Sequence, residues 1–124
     1  RQMCIRDREL PLNARNFINQ YFSKPQISYI KIDSEFLSKK YEVTLTDRTE
    51  IDFDKKGNWT EVDCKKGAVP AALIPVSIKD YVKKNFPNEI ITKIERKGTG
   101  IEVELANDFS LKFNKKGQFV SMDD

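Results

Sequence analysis

Residues 41–63 read YEVTLTDRTEIDFDKKGNWTEVD, and residues 101–123 read IEVELANDFSLKFNKKGQFVSMD. Eight of these 23 aligned positions are identical, and others keep their character: Ile51 against Leu111, Trp59 against Phe119, Val62 against Met122. The correspondence extends upstream. LPLNARNFINQYF (10–22) aligns with IPVSIKDYVKKNF (74–86), and ISYI (27–30) with ITKI (91–94), both at an offset of 64. The offset then falls to 60, which places four extra residues of the first copy within KIDSEFLSKK, where a loop between two strands is expected. One structural unit is written twice.

Each copy opens with an amphipathic helix. Leu10, Ala14, Phe17, Ile18, Tyr21 and Phe22 share one side of a 3.6-residue period, as do Ile74, Ile78, Tyr81, Val82 and Phe86. Pro11 and Pro75 sit where a first turn tolerates a missing N–H, and Pro87 ends the second helix at Phe86. Four strands should follow each helix. Tyr41, Val43 and Leu45 alternate with Glu42, Thr44 and Thr46, and Ile51 and Phe53 continue the inner face. DKKGNW is a hairpin whose Gly57 takes a left-handed conformation, a device repeated at Lys115, Lys116 and Gly117. The expected class is α+β: two tandem helix-plus-four-strand repeats forming one antiparallel sheet with both helices on one face. A unit of about 50 residues alone would be marginal, so the second completes the core. The expected organisation is a non-native or disordered segment 1–8, repeat units 9–63 and 74–124, and a linker 64–73, together one domain.

The opening RQMCIRDR has neither period and resembles translated sequencing-adapter DNA; a native start with its targeting signal is expected to be missing. This segment holds two of the three net positive charges, which leaves too little asymmetry for a nucleic-acid binder. There is no run of the roughly 18–20 apolar residues a membrane span requires. Histidine is absent, which removes the commonest general base, the Ser-His triad and imidazole metal sites. Cys64 reads as a free thiol, with a Cys4–Cys64 pair as the alternative.

If Val43, Leu45, Ile51, Phe53 and Val62 point inward, the opposite face carries Glu42, Thr44, Asp52, Trp59 and Glu61, with Tyr29 and Lys31 from ISYIKI and Phe119 from the second copy. Charged residues interleaved with aromatics suit protein recognition; the alternative is a solvated sheet with Trp59 packed on a neighbour. Phe36 and Leu37, apolar in a polar loop, and Asp47 in the turn Thr46–Thr49 are loop-contact candidates, although Asp47 also reads as a plain turn former matched by Asn107.

These stretches, with AVPAALIP and IKDYVKKNFP, resemble the PepSY-like, putative beta-lactamase-inhibitor-like family of secreted bacterial proteins, over residues 9–123. The resemblance implies the fold of beta-lactamase inhibitory protein and export to the periplasm or cell surface. It transfers no inhibitory residue, since no motif matches at the Thr46–Thr49 tip.

The chain is therefore expected to be non-enzymatic and to bind a protein or peptide through the open face; a periplasmic small-molecule or glycan sensor is the alternative. Glu42 and Glu61 as an acid–base pair lack a source of desolvation to raise either pKa. Asp33, Ser34 and Glu35, or Asp52 and Asp54, lack the ligand count and glycine of a calcium loop. No cofactor or metal is expected. A monomer is favoured, with association through unpaired sheet edges as the competing outcome.

Overall fold

The computed structural model describes residues 2–35 and 38–124. Phe36 and Leu37 lie outside the described residues. The chain divides into two compact units, Arg1–Val62 and Asp63–Asp124. Both are α+β.

In unit 1 the helix α1 (Leu12–Tyr21) is followed by β2 (Ile27–Glu35), β3 (Ser38–Leu45), β4 (Glu50–Asp54) and β5 (Trp59–Asp63). A further strand, β1 (Gln2–Ile5), precedes the helix and pairs antiparallel with β2, from Gln2↔Asp33 to Ile5↔Ile30. The sequence reading placed these residues in a non-native or disordered segment. Main-chain pairing along an open edge needs no apolar alternation, which is why periodicity gave no sign of it. The strand order of the unit is β1-β2-β3-β4-β5.

Unit 2 contains α2 (Val76–Asn85), β6 (Ile91–Lys97), β7 (Gly100–Leu105), β8 (Ser110–Asn114) and β9 (Phe119–Asp123), in the order β6-β7-β8-β9. Its first residues, read as a linker, hold to the unit by main-chain bonds: Cys64 N–H donates to the Thr92 carbonyl at 2.8 Å and Val69 N–H to that of Ile91 at 2.9 Å. Cys4 and Cys64 are not joined in a disulfide.

Pro11 and Pro75 are the N-cap residues, one position before the first turn. The helices bury Ala14 and Ile18, and Ile78 and Val82, against their strands. Ile30, Val43, Leu45, Ile51 and Phe53 fill the core of unit 1; Ile94, Val103, Leu105, Leu111 and Phe113 fill that of unit 2. Each such side chain contributes about 1.5–3 kcal/mol on burial.

The hairpin tips lean on the helix starts. Gly57 has φ +86°, and a Cβ there would stand 2.7 Å from Pro11 Cβ, so the tight approach and the left-handed backbone both require glycine. Asn13 Nδ2 donates to the Lys56 carbonyl at 2.9 Å, tying α1 to the tip. Asp54 Oδ1 accepts from the N–H groups of Lys56 and Asn58, each at 2.9 Å, and Asn114 Oδ1 does the same for Lys116 and Gln118.

The four-residue insertion is not a loop. It lengthens both strands of its hairpin, with Asp33↔Lys40, Ser34↔Lys39 and Glu35↔Ser38 in register. β2 and β3 thus have 9 and 8 residues where β6 and β7 have 7 and 6.

Candidate functional site

The packing of α1 on Phe53 (Phe17–Phe53 centroids 5.7 Å, edge to face) fixes which face of unit 1 is core. The opposite face is built in cross-strand rows. Lys31 on β2 stands opposite Glu42 on β3, which stands opposite Asp52 on β4. Tyr29, Thr44 and Glu50 form the adjoining row. A bulge between Ile27 and Tyr29 sets the phase that turns Tyr29 and Lys31 outward while Ile30 is fully buried. With Glu61 from β5 and the Val43 backbone segment, these residues line a depression of about 300 Å³.

Six of the residues read from the sequence as open-face positions, Tyr29, Lys31, Glu42, Thr44, Asp52 and Glu61, are gathered here. Trp59 and Phe119 are not on such a face. Trp59 stacks on Phe17 of α1 at 6.0 Å, and Phe119 stacks on Tyr81 of α2 at 4.7 Å and meets Phe113 at 5.9 Å. The expectation failed because alternation was counted back from Val62 through an unbroken strand. In unit 2 the register slips between Lys112↔Ser121 and Phe113↔Phe119, and the extra residue returns Phe119 to the helix side. Trp59 aligns with Phe119 in the repeated sequence and is turned to its helix in the same way. Asp47 is apart from the depression: its Oδ1 accepts the Thr49 N–H at 3.0 Å within a turn where Arg48 has φ +77°. Asn107 does likewise for Phe109 at 3.1 Å.

Two contributors were missed. Glu50 was assigned to no face, although Ile51 inward already implies Glu50 outward. Lys40, outward by the same count from Tyr41, places its Nζ 3.2 Å from Glu42 Oε2 and 3.7 Å from Asp52 Oδ2.

The electrostatics follow from crowding. Burial raises the Asp52 carboxyl above its ordinary value; Lys40 works against this, while Glu42 and Glu50 reinforce it. For Lys40, burial favours the neutral amine, but the Glu42 hydrogen bond and the charges of Asp52, Glu42 and Asp33 outweigh it, so its pKa is raised. Lys31 lies over the Tyr29 ring at 5.4 Å, and Tyr29 is 44% exposed. The depression is acidic, with one aromatic surface at its rim. The corresponding face of unit 2 sets acids against lysines more evenly, with the pairs Lys93↔Glu104 and Glu102↔Lys112, and Lys97 Nζ 2.7 Å from Glu102 Oε1. Among the described residues, no group of three or more His, Cys, Asp or Glu is placed to hold a metal ion.

No curated protein matches the chain. Solved structures do. A putative calcium-regulated periplasmic protein from Bacteroides thetaiotaomicron is 42% identical, with a TM-score of 0.96 over 99% of this chain and 97% of that one. A putative periplasmic protein of unknown function from Bacteroides vulgatus is 36% identical, with a TM-score of 0.96 over the whole of both chains. A second putative periplasmic protein from Bacteroides vulgatus is 36% identical, with a TM-score of 0.94 over 99% and 97%. The family described as putative beta-lactamase-inhibitor-like, PepSY-like matches residues 39–121, from β3 of unit 1 into β9 of unit 2. The chain belongs to that putative beta-lactamase-inhibitor-like, PepSY-like family.

Proposed function

We propose that this is a non-enzymatic periplasmic binding module whose partner is a protein or peptide, engaged by the face of unit 1 turned away from α1. The observation that carries the reading is the gathering of Tyr29, Lys31, Glu42, Thr44, Glu50, Asp52 and Glu61 around one depression. Four carboxylates against Lys31 and the nearby Lys40 favour a partner that presents a basic side chain, with Tyr29 as the aromatic anchor beside it. The periplasmic location is supported by the descriptions of the structural neighbours. The reading takes the two units as tandem copies of one helix-and-sheet element, as the correspondence of 41–63 with 101–123 implies.

A second reading, a sensor of small polar ligands or glycans, is favoured by the size of the depression, which at about 300 Å³ reaches the low end of small-molecule sites. Calcium regulation is a description of one neighbour; in this chain it is a question for titration.

Anisotropy of labelled extended peptides, one Lys/Arg-rich and one Glu-rich, separates these readings. The basic peptide should bind, weaken with added salt, and be lost in Tyr29→Ala and Glu61→Gln. Failure of both peptides to bind, alongside a thermal shift with saccharides, would replace this reading by the second. Calorimetry with calcium alone runs beside it, and a saturable heat that disappears in Asp52→Asn would move the site to cation binding.

A further inference from the structure

β9 is the last strand of unit 2, and among the described residues no strand pairs with its outer edge. An edge of this kind presents a row of unsatisfied N–H and C=O groups, and proteins ordinarily blunt it with lysine or proline. Phe119, Val120, Ser121 and Met122 contain neither. Instead the edge is apolar: Val120 is 60% exposed and Met122 47%. Met122 stands opposite Leu111 in the ladder. Its sequence-aligned counterpart, Val62, is fully buried. The position that is core in one unit is open in the other.

The charges select an occupant. β9 runs from the Lys115–Lys116 turn to the Asp123–Asp124 end. We propose that this edge pairs with the same edge of a second copy of the chain, antiparallel about a two-fold axis at Ser121. That register sets Val120 opposite Met122 of the second copy twice over, and it brings each acidic end toward the other copy's lysine turn. Such a contact is self-complementary, as a two-fold interface must be. A parallel arrangement would set like charges together. The register shift falls at Val120, so Ser121–Asp123 are regularly paired to β8 and Val120, the inserted residue, stands beside the axis. None of these residues lines the depression of unit 1, so this inference and the proposed function stand or fall separately.

Sedimentation velocity of the whole chain across a concentration series tests it. The wild type should pass from monomer to dimer as concentration rises. Val120→Lys, at an exposed position, should keep its melting temperature and weaken dimerisation by roughly tenfold or more. Ser121→Cys in a Cys4→Ser, Cys64→Ala background should form a covalent dimer on mild oxidation, while Leu12→Cys in that background should not. A wild type that sediments as a monomer throughout, or a dimer that Val120→Lys leaves unchanged, overturns the proposal. So does cross-linking equal for Ser121→Cys and Leu12→Cys.

Discussion

Glu42 and Asp52 are directly opposite one another across β3 and β4, and both are held by one cation, Lys40. Like charges in this arrangement repel. Lys40 turns the repulsion into a bridged pair and so keeps an acidic surface on a folded strand. Unit 2 solves the same problem with Lys97, which stands 2.7 Å from Glu102 and 4.0 Å from Glu95, the acids paired across β6 and β7.

Lys40→Gln should therefore raise the Asp52 pKa further, because the lysine is what opposes its rise. The cost in stability should be below about 1 kcal/mol, since nearly half of the Lys40 side chain meets solvent. Carboxyl-detected NMR titration of both proteins reads the pKa change. An Asp52 that titrates lower in the variant would overturn the assignment.

Asp52 also sets a pH dependence with a defined sign. Its carboxyl is raised in the fold, so the native state binds this proton more readily than the unfolded chain does. As pH falls from neutral through the folded value toward the ordinary 3.8, wild type should gain stability relative to Asp52→Asn. Lys40 acts at the other end: its contribution is complete below the ordinary 10.5 and is lost as pH rises through its raised folded value. Melting curves of wild type and Asp52→Asn between neutral and acid pH give the difference directly, and a wild type that loses ground on acidification contradicts it.

Tyr29 and Trp59 should part company on mutation. Tyr29→Ala removes an exposed ring and should leave the melting temperature nearly unchanged while weakening basic-peptide binding. Trp59→Ala removes the stacking partner of Phe17 and should cost about 2–3 kcal/mol, somewhat less than for a fully buried tryptophan. Urea denaturation distinguishes them; equal losses would mean that Tyr29 belongs to the core.

Gly57→Ala should destabilise more than Gly117→Ala. Both backbones are left-handed, at φ +86° and +82°, a cost of about 1–2 kcal/mol for any other residue. At Gly57 the new Cβ also meets the Pro11 ring and the Asn13 side chain that ties down the tip. At Gly117 it meets Ser77, whose small hydroxyl can rotate away. Paired denaturation curves give the order.

The helices, the eight strands after them, the turn glycines and the inward set Val43, Leu45, Ile51 and Phe53 were legible because each is written in a local period or a turn residue. Six lining residues of the depression followed by parity from those inward positions. Parity fails wherever a strand gains a residue. The shift between Phe119 and Ser121 is not announced by glycine or proline, so Phe119 was assigned to the wrong side, and Trp59 with it. β1 escaped for another reason: its pairing is made by backbone atoms, which any sequence carries. Glu50 and Lys40 were within reach, each one step from a position already assigned inward.

The longer β2–β3 hairpin has one more consequence. Its two strands each exceed their unit 2 counterparts by two residues, a whole pleat repeat, so the extension leaves every residue nearer the body of unit 1 looking the way it did before. Adding or trimming this arm in matched pairs should therefore spare the chemistry of the rows below it, whereas a single-residue change to one strand would exchange Lys31 for Ile30 at the solvent surface. The arm is the natural place to graft a foreign epitope or reporter.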